Sequence, residues 1–249
     1  TSMPPARRGF GIKGVDVLNF LPERFRTPMA LRVLGAVAVV FLLLLGFVKL
    51  GGEIAEGETQ AFDAFVLRSL RAPGDVSDPI GPQWFEEMAR DITALGGTVV
   101  LGLVVVIGSA YLVLKRRFRT ALMLFGFIGL GFVLMSAMKA GFGRPRPELV
   151  PHRQFVYSNS FPSGHAMGSA LTYLTLAAQL ARVEADRRVQ TFLIGMALLV
   201  TGLVGVSRVY LGVHYPTDVI GGWGAGAAWA VLTWLAVERL EARGWLDRR

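Results

Sequence analysis

The residues best suited to chemistry lie in Phe161-Pro162-Ser163-Gly164-His165, where a polar, Arg-bearing loop ends and an apolar, helix-like segment begins. Serine before glycine at a helix start supplies an N-cap oxygen, glycine lets an anion approach the backbone, and the unpaired first-turn amides point at it. Such a stretch is fit to seat a phosphate, with His165 beside the phosphoryl group. A Ser-Gly pair taken alone is more often an ordinary cap, so this reading depends on partners elsewhere in the chain. Upstream stand Lys139 and, seven positions on, Arg146-Pro147; downstream stand Ser207-Arg208, then His214 after five intervening residues and Asp218 after three more. Displacement at phosphorus concentrates negative charge on the equatorial oxygens, and Lys139, Arg146 and Arg208 can meet that charge, the arginines as planar forks. Each of the three alone reads as a basic residue snorkelling at the end of a span. Together, flanking two histidines, they read as an oxyanion site. His214 and Asp218 are four residues apart and Pro216 suits a first helical turn, so imidazole and carboxylate can meet on one face.

The elements that must position these residues are membrane spans. Of 249 residues, 53% are hydrophobic and only 18% charged, and the mean hydropathy is +0.49, too apolar for an ordinary soluble domain. The chain has no cysteine and three histidines, which removes disulfides, iron-sulfur clusters and thiolate-zinc sites and leaves little for a histidine-rich metal centre. A net charge of +8 is better explained by basic residues flanking spans than by nucleic acid, since no basic face is interleaved with exposed aromatics. The pattern predicts an all-α, integral-membrane bundle of six transmembrane helices in a single domain, residues 1–249. The spans fall at about 31–50, 93–114, 120–138, 165–181, 189–206 and 219–237. Residues 1–30, with Arg7, Arg8, Lys13, Arg24 and Arg26, read as a cytoplasmic lead-in. The first apolar run lacks a small-residue cleavage pattern and reads as a span, not a removed signal peptide.

Between the first two spans, residues 51–91 turn acidic and rich in glycine and proline. Phe62, Phe65, Val66 and Leu70, then Trp84, Phe85 and Met88, recur at helical spacing and predict two short interfacial helices. They would serve either as a cover over a lipid entrance or as a connection resting on headgroups. The fourth span carries Ser169, Thr172, Tyr173, Thr175 and Gln179, a stripe that should face other helices or a wet cavity. The sixth contains Gly222-xxx-Gly226, which permits close helix packing. Six spans leave both termini on one side. Of the 26 Lys and Arg, 17 fall on that side and 9 on the other, which places the termini in the cytoplasm and the phosphate seat outside.

The spacing Lys139-x6-Arg146-Pro147, then Pro162-Ser163-Gly164-His165, then Ser207-Arg208-x5-His214-x3-Asp218 resembles, at every signature position, the three-part signature of the type 2 phosphatidic acid phosphatase (PAP2) superfamily. The resemblance runs from Lys139 to Asp218, and the six-span layout is similar to that of the family's membrane-bound lipid phosphate phosphatases. It implies that His214 is the nucleophile, forming a phosphohistidine that water hydrolyses, and that His165 is the acid for the leaving alkoxide. Asp218 would orient His214, with Lys139, Arg146, Arg208, Ser163, Gly164 and Ser207 binding the phosphate. The scheme needs no metal and no cofactor. Arg144, Arg153 and His152 match no signature position, and the two arginines read as surface residues or headgroup contacts.

The partners implied are membrane lipids and a phosphorylated lipid substrate: undecaprenyl pyrophosphate or a glycerophospholipid phosphate such as phosphatidylglycerophosphate or phosphatidic acid, ahead of the phosphate of a lipid A type glycolipid. Short connections and the lack of an Asn-x-Ser/Thr site favour a bacterial inner membrane. A lipid-to-lipid phosphotransferase shares the same site chemistry. Vanadate-dependent haloperoxidases resemble the signature too, but they are soluble. A lipid transporter using the cations for binding only would be expected to show internal repeats, and none is evident.

Overall fold

A computed structural model describes residues 27–148, 150 and 158–246. His152, Arg153 and the five basic residues of the lead-in lie outside this set. The chain divides into two compact units, residues 1–35 and 36–249. Of the first, the described part is residues 27–35, ending in the opening turns of α1.

The elements run α1 (Pro28–Glu56), α2 (Gln60–Ser69), β1 (Arg71–Ala72), β2 (Asp75–Pro79), α3 (Gln83–Ala94), α4 (Thr98–Leu114) and α5 (Phe118–Phe142). They continue with α6 (Gly164–Ser169), a π-helical turn (Ala170–Leu174), α7 (Thr175–Val183), α8 (Arg187–Tyr210) and α9 (Pro216–Ala242). Four helices, α1, α5, α8 and α9, are long and apolar enough to cross a membrane, and α3 with α4, bent by 51° at a short break, makes up to five. Their outward surfaces carry Phe41, Val99, Leu122, Val133 and Phe192, each more than half exposed. In a chain this apolar, such a surface is matched to lipid.

The expected spans differ from the helices in instructive ways. The expected span 93–114 is broken at Leu95–Gly97, and the break packs closely: a Cβ at Gly96 would stand 2.5 Å from Val204 and 3.2 Å from the His165 carbonyl oxygen. The expected span 165–181 is the contiguous run α6–π–α7, in which a π-helical turn separates two short α-helices. Ser169, Thr172, Thr175 and Gln179 are all buried in it, as the polar stripe predicts, so this segment faces other helices. α1 continues past the expected end at Leu50 until Gly57, whose φ of 81° allows the left-handed turn that ends it.

The connection 51–91 contains the two expected helices, α2 and α3, with Phe62, Phe65 and Trp84 exposed. It also contains an antiparallel two-stranded hairpin, β1 with β2, so the fold is not purely helical. The Pro73-Gly74 dipeptide is the signal for this turn, Gly74 having a φ of 88°. Leu67 of α2 is fully buried against Ala166, Val209 and Val219, so this helix is built into the bundle.

Close contact between α9 and α6 holds the centre together. A Cβ at Gly226 would lie 2.6 Å from the Ala170 Cβ and 2.7 Å from the Met167 carbonyl oxygen, and one at Gly222 would lie 2.9 Å from the Ser163 carbonyl oxygen. Phe161, just ahead of the seat, stacks on Phe47 at 5.3 Å and meets the edge of Phe142 at 4.7 Å. Gly226→Ala is therefore expected to destabilise the protein by about 1–3 kcal/mol through overpacking. The check is thermal unfolding in detergent; an unchanged midpoint would contradict this packing account.

Candidate active site

Three segments converge on one place. The first is the end of α5 with the irregular run after it, the second leads from Ser158 into α6, and the third joins α8 to α9. Three of the signature residues sit on terminal turns of long helices: Lys139 in the last turn of α5, Arg208 in the last turn of α8 and Asp218 in the first turn of α9.

His214 is 1% and Asp218 0% exposed. Nδ1 of His214 lies 3.4 Å from Oδ2 of Asp218, and Nε2 lies 3.1 Å from an Arg146 guanidinium nitrogen. His214 precedes the helix, with Tyr215 as its N-cap and Pro216 opening it. Asp218 Oδ2 accepts the Tyr215 amide at 2.9 Å and closes a capping box. A guanidinium has no acceptor, so the Nε2 that faces it must be unprotonated and the ring proton must sit on Nδ1, toward Asp218. The lone pair of His214 is thus directed to the place where a phosphate would meet Arg146. Ser160, also fully buried, donates its hydroxyl to Asp218 Oδ2 and stands 3.3 Å from His214 Nδ1.

The cations have separate anchors. Arg146 donates to the Ser158 carbonyl through Nε and to the Val213 carbonyl through Nη1, both at 2.7 Å, which aligns its fork with the two flanking segments. Lys139 donates to the Asn159 carbonyl at 2.7 Å, and its side chain would be 3.1 Å from a Cβ on Gly164. Glycine at 164 therefore makes room for the Cε methylene of Lys139 at the start of α6. Arg208, 2% exposed, donates to Thr93 of α3 at 3.0 Å. His165, half-buried at the start of α6, lies in the field of Arg208, Arg146 and Lys139.

Two expected phosphate contacts have other engagements. The Ser207 hydroxyl donates to the Val204 carbonyl of its own helix at 2.7 Å. Ser163 caps α6, accepting from the Ala166 amide at 3.4 Å, while its own amide donates to the Asp218 carbonyl at 2.9 Å. That leaves the Ser163 amide with a structural partner, joining the seat to α9.

Arg144 corrects its expected surface role. Its side chain is 10% exposed and bridges Asp218 at 2.6 Å and Asp63 at 2.8 Å, with the Tyr215 ring 4.2 Å from its guanidinium carbon. Asp63, Ser160 and Thr217 were not singled out by sequence reasoning. Their signal is long-range pairing, which no local pattern carries.

Apolar helices whose outer surfaces suit lipid, gathering a buried histidine-carboxylate pair and three cations at their ends, define a membrane enzyme built to handle a phosphoryl group. Comparison with known proteins gives the family. Residues 120–242 match the model of the PAP2 superfamily. Phosphatidylglycerophosphatase B of Bacillus subtilis (strain 168) is 33% identical over 193 residues, 74% of this chain and 87% of that protein. Undecaprenyl-diphosphatase BcrC of the same organism is 33% identical over 99 residues, covering 36% of this chain and 44% of that protein. The crystal structure of a transmembrane PAP2 type phosphatidylglycerolphosphate phosphatase from Bacillus subtilis superposes with a TM-score of 0.73 at 28% identity, covering 81% of this chain and 96% of that one. The chain belongs to the PAP2 superfamily, and it is an integral-membrane phosphatase of that family.

Burial pushes the His214 imidazole from the ordinary 6.5 down to about 3, against the hydrogen bond and charge of Asp218, with Arg146 and Arg208 lowering it further. Between those two values the unfolded chain binds a proton that the folded one does not. The stability this group contributes is therefore complete above the ordinary value and is lost as pH falls through the window. Raising the pH from about 4 to about 7 should raise the unfolding temperature, and His214→Gln should remove part of that rise. Identical pH dependence in the two proteins would show that His214 is not held neutral by burial.

Proposed function

We propose that this protein is a metal-independent lipid phosphate phosphatase that works through a phosphohistidine on His214. The substrate class is a phosphatidylglycerophosphate-like glycerophospholipid phosphate, with undecaprenyl pyrophosphate as the second candidate. The observation that carries the reading is the line Arg146–His214–Asp218, which presents an unprotonated imidazole nitrogen beside a guanidinium fork. The Bacillus subtilis relatives, by their names, support the two substrates in that order.

In this scheme Lys139, Arg146 and Arg208 hold the equatorial oxygens, and Nε2 of His214 attacks phosphorus. His165 gives its proton to the leaving alkoxide, then takes one from the water that cleaves the phosphorus–nitrogen bond. Asp218 stabilises the positive charge that develops on the ring. One membrane-embedded domain contains all of this, at the external leaflet of a bacterial inner membrane with both termini cytoplasmic, a placement supported by the 17-to-9 division of basic residues.

The test is inorganic phosphate release in detergent from a panel of lipid phosphates and pyrophosphates, with and without EDTA. Release from phosphatidylglycerophosphate, unaffected by chelator, is the expected result. Loss of activity in EDTA that magnesium restores would overturn the metal-independent scheme.

A further inference from the structure

Among the described residues two aspartates are fully buried, Asp218 and Asp63. The chemistry above gives Asp63 no task. It comes from α2, in the connection between the first span and the hairpin, and its contacts all lead toward the histidine. Oδ1 accepts the Thr217 amide at 3.1 Å; Oδ2 accepts the Thr217 hydroxyl at 2.7 Å and an Arg144 nitrogen at 2.8 Å. The other Arg144 terminal nitrogen donates to Oδ1 of Asp218 at 2.6 Å and to the Thr217 hydroxyl at 2.9 Å. Oδ2 of Asp218 is thereby left to His214, Ser160 and the Tyr215 amide.

We propose that Asp63 and Arg144 are positioning residues for His214: Asp63 holds one arm of Arg144, so that the other arm takes only Oδ1 of Asp218 and leaves Oδ2 to the imidazole. This rests on the reading of His214 as the group that attacks phosphorus. A guanidinium facing a single carboxylate prefers a bidentate, fork-to-fork pair. Without Asp63, Arg144 would draw both Asp218 oxygens and compete with Nδ1–H of His214 for Oδ2. With it, the guanidinium is shared between two carboxylates from different helices and stacks on Tyr215, which fixes its plane. Burying a second carboxylate is costly, and an apolar side chain could pack α2 without that cost. Its presence here points to orientation of the Asp218–His214 pair. The connection 51–91 then contributes part of the catalytic apparatus as well as a surface over it.

The experiment uses the full chain in detergent, with Asp63→Asn, Arg144→Lys and the double variant. Asn keeps the size of Asp63 and an acceptor for Thr217 but removes the charge; Lys keeps the charge of Arg144 but cannot fork, so either single variant tests the proposal if the other does not fold. Two measurements are made on folded protein: kcat and KM for phosphate release from phosphatidylglycerophosphate, and 15N chemical shifts of the histidine rings, with His214 assigned by its loss in His214→Gln. Expected are a fall in kcat of about 10–100-fold with KM changed less than about 3-fold, and no further loss in the double variant beyond the larger single effect. The His214 signal should pass from a single Nδ1–H tautomer to a mixture. Unchanged kcat and tautomer with only a lowered unfolding temperature would overturn the proposal and leave Asp63 as a plain link between α2 and α9. If the unmodified protein releases no phosphate from any lipid phosphate, the proposed function fails, and the tautomer measurement alone decides the positioning role.

Discussion

Replacing His214 with alanine is expected to reduce phosphate release by about 10⁴-fold or more while KM moves by only a few-fold. Lys139, Arg146 and Arg208 stay in place to bind the phosphate, and each is anchored by contacts other than His214. What is lost is the only group whose lone pair points at the bound phosphorus in the proposed scheme. The measurement is phosphate release per folded protein, with folding checked by thermal unfolding, because truncation of a buried ring also leaves a cavity. Residual activity above about one part in a hundred would mean that water is attacking directly, with the cations supplying most of the catalysis.

Asp218→Asn is expected to be nearly as severe, about 10³-fold or more in kcat, because it disturbs both tautomer and orientation of the imidazole. The carboxylate receives donors on both oxygens: Arg144 on Oδ1, and Ser160 and the Tyr215 amide on Oδ2. An amide has one oxygen to offer, so whichever way it turns, its NH2 group faces a donor. The variant should also unfold more readily, by about 2–4 kcal/mol, since it leaves Arg144 half-paired in a buried setting. Comparing kcat per folded protein with the unfolding midpoint separates the two effects. A stable Asp218→Asn protein with near-normal kcat would remove Asp218 from the mechanism.

The signature residues were legible because their chemistry is local in sequence. Pro162-Ser163-Gly164-His165 reads as a capped helix start, and Ser163 does cap α6. Gly222 and Gly226 read as a close-packing face from spacing alone, and the backbone of α6 and the π-helical turn occupies the space their side chains would need. Helix boundaries were less legible, since apolar runs end where hydropathy ends and not where hydrogen bonding does. Lys139 and Arg208 consequently sit on helical turns beyond the expected span ends at 138 and 206, while Asp218 lies in the first helical turn that Pro216 predicts.

The sequence by itself determined the membrane class, the family and the set of cations and histidines available at the seat, because composition and short-range spacing carry that information. Only the tertiary structure decided which of them have structural partners. It turned Ser207 toward its own helix, bent α3 against α4 at Gly96, and drew Arg144 from an expected surface role into a buried bridge between Asp63 and Asp218. The physical reason is that a buried charge must be paired, and its partner can come from any helix the fold brings near. Asp63 and Asp218 are distant in the chain, so their meeting at one guanidinium is a property of the packed bundle.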